Sequence, residues 1–221
     1  MFRVVKLSKL EKEWAGSDKT LGSTIKKVFT PKIPVKRRII TAIYKIRSMI
    51  SKLDVFIERL KERDRILFER VVEALTVKDE TRAKMYASEV AQIRKIIKQL
   101  TITQVALEQI SLRLETIHAF GDVIAGLVPV IGVVKELKGI LKGILPEMSL
   151  ELAEVEEVLR DLVIEVGEVT GVSVGDLYAS PEARKILEEA KVIAEQRMKE
   201  KFPELPAVPT PTSETVKAES G

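Results

Sequence analysis

Residues 39–75, IITAIYKIRSMISKLDVFIERLKERDRILFERVVEAL, decide the fold. Ile39, Ile43, Ile46, Ile50, Leu53, Ile57, Leu60, Asp64, Leu67, Val71 and Ala74 recur at alternating steps of four and three, and Asp64 is the one polar member. Such steps put side chains on a single stripe of an α-helix, the seam by which one long helix packs along another. Neither proline nor glycine interrupts the chain between Val35 and Leu75. At 1.5 Å of rise per residue the helix runs for about 60 Å, more than one compact core covers. It is also basic: Lys26 to Arg70 holds 14 Lys and Arg against 5 Asp and Glu, a local charge of +9. A helix of this kind needs a partner along its seam and attracts something anionic along its polar side.

The partner follows in sequence. Thr76 to Glu80 breaks the pattern, with Asp79 placed to cap a second helix. That helix carries Val90, Ile93, Ile97, Leu100, Leu107, Ile110, Leu114 and Ile117, and its seam is interrupted by a phase shift at Thr101, Thr103 and Gln104. So short a connection forces an antiparallel hairpin. Pro34 suits the entry to the first helix.

Outward from the hairpin the character changes. Phe120 to Leu145 is apolar but punctuated by Gly121, Gly126, Gly132, Gly139 and Gly143, with Pro129 a point of kinking. Two readings stay open there: a loop with a short packed helix, or a hinge that lets the back half open. Glu147 to Val169 predicts an acidic helix with Leu152, Val155, Leu159, Leu162 and Val166 on its apolar face and Gly167 and Gly171 at its end. Ser180-Pro181 starts a last helix with Ile186, Leu187, Ala190, Ile193, Ala194 and Met198, stopping before Pro203. Val172 to Tyr178 is a candidate extended piece. The tail holds Pro203, Pro206, Pro209 and Pro211, which favour extended backbone, and a polar end expected to be disordered when free. At the other end, Val4, Leu7, Leu10 and Trp14 recur at helical spacing among lysines. This fits an interfacial membrane helix; a frayed terminus or a strip packed on the body fits as well, because Arg3 and Glu11 fall near the apolar side.

Composition narrows the function. The 221 residues are 32% charged and only 5% aromatic, a balance suited to long amphipathic helices. With no cysteine, disulfides and thiolate metal sites are excluded, and with one histidine, His118, so is any multi-histidine site. Phosphate-loop, zinc-protease and nucleophile-elbow motifs are absent, so no enzyme and no cofactor are expected. The longest apolar run, Val123 to Val134, is too short to span a bilayer. Residues 147–200 carry 14 acidic against 6 basic side chains, a charge of −8. A basic front and an acidic back predict self-association or closure of one half on the other.

A basic hairpin, short helices, an acidic back half and a terminal Leu205-Pro206-x-Val208-Pro209-x-Pro211 segment together resemble the ESCRT-III family, specifically the archaeal CdvB-like cell-division proteins. The resemblance covers residues 33–211 and leaves no room after Pro203 for a winged-helix module, so it points to the shorter paralogues. It implies an all-α fold: a long antiparallel helical hairpin with short C-terminal helices and a disordered proline-rich tail. The organisation implied is an N-terminal amphipathic segment and linker (1–32), a hairpin core with glycine-rich hinge (33–145), acidic regulatory helices (146–201) and a flexible tail (202–221). It further implies filaments, built with copies of itself and related paralogues, that constrict and sever a membrane neck from the cytoplasmic side. Leu205, Pro206, Val208, Pro209 and Pro211 match the family's second type of MIT-interacting motif, which docks in the MIT domain of an AAA ATPase that removes subunits. Leu7, Leu10, Trp14, Lys26, Lys27, Lys32, Lys36, Arg37 and Arg38 are the candidate contacts to an anionic membrane. The competing readings are a nucleic-acid-binding coiled coil and a cytosolic scaffold; few aromatics and a matching acidic half argue against nucleic acid.

Overall fold

In the computed structural model the described residues are 34–121, 123–170 and 180–206. The expectations for the N-terminal segment, for Val172 to Tyr178 and for the tail beyond Pro206 lie outside them. The described residues form five helices and no strand: α1 (Val35–Thr76), α2 (Glu80–Phe120), α3 (Val123–Lys142), α4 (Pro146–Thr170) and α5 (Pro181–Lys201).

α1 begins directly after Pro34, whose carbonyl accepts the amide of Arg38 at 3.1 Å. Its 42 residues span about 63 Å. It ends in a tight turn that satisfies its last carbonyls: Val77, Lys78 and Asp79 donate to Glu73, Leu75 and Ala74. Lys78 sits there at φ 57°, a left-handed conformation that costs a side chain bearing a Cβ. Asp79 then caps α2 by accepting the amide of Arg82 at 3.0 Å. The hairpin is antiparallel, and its register is read from cross-pairs equidistant from Asp79: Asp64 with Arg94, 30 residues apart, and Asp54 with Gln104, 50 apart.

Along the seam Ile39, Ile43, Ile46, Leu53, Ile57, Asp64, Val71 and Ala74 are buried, and Ile50, Leu60 and Leu67 are half-buried. Ala42 and Met49, off the stripe, are buried as well, because α4 lies on that side of α1. The middle of α2 differs from the sequence expectation. Leu100 to Leu107 are buried without a break, Thr101, Thr103 and Gln104 included. α2 touches α1, α3 and α5, so this stretch is enclosed on several sides, and what reads as an interruption of one seam is part of the core. Its polar groups are satisfied: Thr101 donates to the Ile97 carbonyl at 2.8 Å, Thr103 to that of Gln99 at 3.0 Å, and Gln104 to Asp54.

The glycine-punctuated stretch is a continuous 20-residue helix that contains Pro129. The reading of a loop with a short helix is therefore corrected. Two of its glycines mark close approaches. A Cβ on Gly126 would stand 2.5 Å from Cγ1 of Ile117, and one on Gly132 would meet the Ala183 methyl at 3.0 Å. Small residues let α3 close on α2 and α5, and Leu127, Val130, Val133, Val134, Leu137 and Leu141 are buried in return. Gly167 does not end α4, which runs on to Thr170. The predicted face of α4, Leu152, Val155, Leu159, Leu162 and Val166, is buried. At α5, Pro181 is the first helical residue and the Ser180 carbonyl takes the amides of Ala183 and Arg184, but the Ser180 side chain makes no capping bond. One apolar cluster runs through all five helices.

Replacing Lys78 by glycine is expected to stabilise the fold by about 0.5–1 kcal/mol, since glycine adopts φ > 0 freely. Denaturant unfolding followed by circular dichroism reads the sign; a destabilised variant would mean that the Lys78 side chain holds the turn in place.

Candidate functional site

Charged side chains gather in two places among the described residues, the polar side of α1 and the root of the tail. Arg38, Lys45 and Lys52 follow one another at steps of seven, which keeps them on one side of α1. α4 lies alongside with its acids in reverse order. Arg38 donates to Glu165 at 2.8 Å and approaches Asp161 at 3.8 Å, Lys45 pairs with Glu154 at 2.7 Å, and Lys52 pairs with Glu151 at 2.6 Å. The basic front and acidic back of the chain thus meet as a ladder of ion pairs. α5 repeats the arrangement on α2, through Lys98 to Glu195 at 2.8 Å and Arg113 to Glu182.

Most of these pairs are solvent-exposed, and each is worth on the order of 0–1 kcal/mol. Arg38 is the exception, with its side chain only 18% exposed and Glu165 at 19%. Hydrogen bonds from Lys45, Arg113 and Lys98 hold Glu154, Glu182 and Glu195 below the usual glutamate value. A depressed carboxylate stabilises the closed arrangement above its unfolded value, near 4.5, and that contribution is lost as pH falls through the folded value. The pairs of Glu154, Glu182 and Glu195 are therefore fully stabilising at neutral pH and weaken only in acid. Between α3 and α4, Glu156 is buried and accepts from Lys138 at 2.5 Å and Arg160 at 2.7 Å.

The second concentration of charge lies where the tail leaves the body. Asp64, 4% exposed, is gripped by both forks of Arg94, Nε to Oδ1 at 2.7 Å and Nη2 to Oδ2 at 3.1 Å. The same guanidinium lies 5.5 Å from the ring centre of Phe68 and 5.2 Å from that of Phe202, and its Nη1 donates to the carbonyl of Pro203. One arginine on α2 thus joins the buried acid of α1 to the first residues after α5. An open cavity of about 390 Å³ lies beside it, lined in part by Lys61, Asp64, Phe68, Phe202 and Pro203.

Of the expected membrane contacts, Lys36 and Arg37 are exposed, while Arg38 is occupied by α4. Leu7, Leu10, Trp14, Lys26, Lys27 and Lys32 lie outside the described residues. Of the tail motif, Leu205 and Pro206 are half-buried; Val208, Pro209 and Pro211 lie outside. Sequence reading did not name Arg94, and it took Phe202 only as the first residue of the flexible tail. The signal for Arg94 was present: a lone acid in an apolar seam needs a cation, and mirroring Asp64 about the turn lands beside it. Among the described residues no group of acids and histidines could hold a metal, and no helix is long and apolar enough to cross a membrane.

The chain is similar to several proteins of Sulfolobus acidocaldarius. It is 57% identical over 197 residues to Cell division protein B1, which covers 89% of each chain. It is 34% identical over 179 residues to Cell division protein B, covering 81% of this chain and 69% of that one. The chain belongs to the CdvB-like family of archaeal cell-division proteins. A third relative, Cell division protein B3, is 30% identical over 167 residues, 76% of this CdvB-like chain and 96% of its own. No family model matches the chain, and no solved structure does. The role of this CdvB-like protein is in archaeal cell division.

In the CdvB-like chain the Arg94–Asp64 pair predicts unequal costs for removing one partner and for removing both. Arg94→Ala leaves a buried carboxylate without its cation and is expected to cost about 3–5 kcal/mol. The double variant Arg94→Met with Asp64→Leu removes both charges and is expected to recover most of that loss. Chemical denaturation of the three proteins checks this; a double variant no more stable than Arg94→Ala would mean that the arginine acts mainly through the tail root.

Proposed function

We propose that this CdvB-like chain is a polymer-forming membrane-remodelling protein of the ESCRT-III type. In this reading it assembles with copies of itself and with related paralogues into filaments on the cytoplasmic face of the cell membrane at the division site. The filaments drive constriction and scission, and an AAA ATPase removes subunits by capturing the tail in its MIT domain. The chain performs no catalysis of its own. The observation that carries the reading is the ladder of acids from α4 laid over Arg38, Lys45 and Lys52. A basic row long enough to lie along a charged surface is covered, in the free chain, by pairs of which those at Lys45 and Lys52 are exposed and individually weak. An anionic membrane offers many charges at once, each worth on the order of 1 kcal/mol to a basic residue near its surface. Membrane and α4 then compete for the same row, and binding frees the back half. Lys36 and Arg37, already exposed at the start of α1, make the first contact, assisted by the N-terminal lysines and by Leu7, Leu10 and Trp14.

Two results test this. Glu151, Glu154 and Glu165 changed together to Gln are expected to increase pelleting with anionic vesicles several-fold at moderate salt, and Lys36→Glu with Arg37→Glu to reduce it. Pelleting that ignores α4 would remove the competition from the account, and stronger pelleting with duplex DNA than with vesicles would favour a nucleic-acid function.

The tail gives the second result. A short extended segment is expected to bind an MIT domain with Kd on the order of 1–100 μM, a weakness that many tails on one filament offset through effective concentration. Leu205 and Val208 are expected to carry most of the contact, about 1.5–3 kcal/mol each if fully buried. Leu205→Asp with Val208→Asp is expected to abolish the calorimetric signal while leaving helix content and vesicle pelleting unchanged. No signal from the unaltered chain would reduce the segment to a linker.

A further inference from the structure

α1 contains a repeat that its heptad-like seam conceals. Residues 55–65 read VFIERLKERDR and residues 66–76 read ILFERVVEALT. Aligned, they share the initial β-branched residue, apolar residues at the second, third and sixth places, and Glu-Arg followed by Glu at the fourth, fifth and eighth. Residues 44–54, YKIRSMISKLD, keep apolar residues at the third and sixth places, with Lys45 at the second, Arg47 in place of the first Glu and serines in place of the later Arg and Glu. The inward places of this 11-residue unit supply core residues, with Ile46 and Leu53 on the α2 seam and Met49 towards α4 buried in the first unit and Ile57 in the second. The first place of each unit faces out instead. Tyr44 is 74% exposed, Val55 51% and Ile66 39%, and Val77, one step on, is 69% exposed. Eleven residues make about three helical turns, so these side chains fall close to one line, roughly 16.5 Å apart, drifting about 20° per unit. The line runs on the side of α1 turned away from the α2 seam and beside the Arg38–Lys45–Lys52 row that α4 occupies.

The charges beside this line are arranged by side. Arg59 and Arg70 stand four places after Val55 and Ile66, on one flank of the line; Glu62 and Glu73 stand seven places after them, on the other. When two helices pack by the same face, a parallel pair sets the arginine flank of each against the glutamate flank of the other. An antiparallel pair sets like against like. Apolar steps at equal intervals with opposite charge on opposite flanks make a face complementary to itself in the parallel sense. Among the described residues Glu62 is held by an exposed pair with Arg65, which is cheap to exchange.

We propose that this face of α1 is the contact for a second copy of the chain, the two α1 helices lying parallel and in register, Tyr44 by Tyr44, Val55 by Val55 and Ile66 by Ile66. The inference rests on the assembly reading above and adds to it the face, the direction and the register. Because 11 residues over three turns exceed the 3.6-residue period, the pair wraps with a right-handed sense.

The chain has no cysteine, so single replacements report cleanly. Tyr44→Cys, Val55→Cys and Ile66→Cys full-length proteins, assembled on anionic vesicles and treated with a short thiol cross-linker, are each expected to give a covalent dimer with themselves, at least tenfold above an exposed control such as Val192→Cys. Mixing Tyr44→Cys with Ile66→Cys is expected to add no hetero-dimer. Charge gives a second arm: Arg59→Glu with Arg70→Glu is expected to lose self-association at least tenfold, as is Glu62→Arg with Glu73→Arg, and a mixture of the two to restore it. Cross-linking of 44 only to 66 would overturn the parallel sense. Vesicle-bound assembly without any of these dimers, as when residues 1–33 of the same chain cover the line, would overturn the face alone. A chain that stays monomeric on vesicles would overturn the assembly reading and this face with it.

Discussion

Repulsion along α1 is what the rest of the molecule has to offset. The helix holds a row of lysines and arginines on one side and a continuous apolar stripe on another, and neither is stable bare in a 42-residue helix. α2 covers the stripe. α4 covers much of the row, with its acids set opposite Arg38, Lys45 and Lys52. α3 is held in turn by the apolar face of α4 and by the ends of α2 and α5, with glycines where backbones approach closely. The apolar coverings are strong because each removes many side chains from water. Apart from the largely buried Arg38–Glu165 pair, the electrostatic covering is a set of exposed pairs, each weak and screened by salt. The structure is therefore unequal in strength, with a hairpin that is hard to part and a back half whose grip on the basic row can be exchanged.

Most of that inequality was legible in the chain. The seam of α1, the cap at Asp79, the apolar face of α4 and the proline start of α5 follow from spacing and from residues with one dominant use. The opposed charges of the two ends foretold that they would meet. What sequence reading missed depends on a third element. Ala42 and Met49 are buried because α4 passes there, and Thr101 to Gln104 because α2 is enclosed on several sides; periodicity along one helix carries no information about a second or third neighbour. Gly126 and Gly132 were read for the freedom they lend the backbone, whereas the space they leave for Ile117 and Ala183 is what the fold uses. The 11-residue repeat of α1 was present throughout but shares its inward positions with the heptad-like seam, and only exposure separates the two.

The candidate site was legible by class of residue more than by partner. Lys36, Arg37 and Arg38 were chosen for their charge, yet Arg38 alone is drawn into the body by Glu165. Asp64 stood out as the polar member of its stripe, and its role is to hold Arg94, which holds Phe202 and Pro203 in turn. The tail consequently leaves the body at a fixed point on the hairpin, a few residues before the segment that resembles a partner-binding motif. Force or binding applied to that segment meets the Arg94 contact first.

The central claim is that the anionic surface and α4 contend for one basic row. The most direct measurement is the distance between α1 and α4 by paired spin labels at Ser48 and Glu157, outside the ion-pair ladder, with and without anionic vesicles. The account predicts a single short distance in solution and a shift of that population to long or broadly distributed distances on vesicles, suppressed when salt screens the surface. A short distance that persists on vesicles that bind the protein would contradict it.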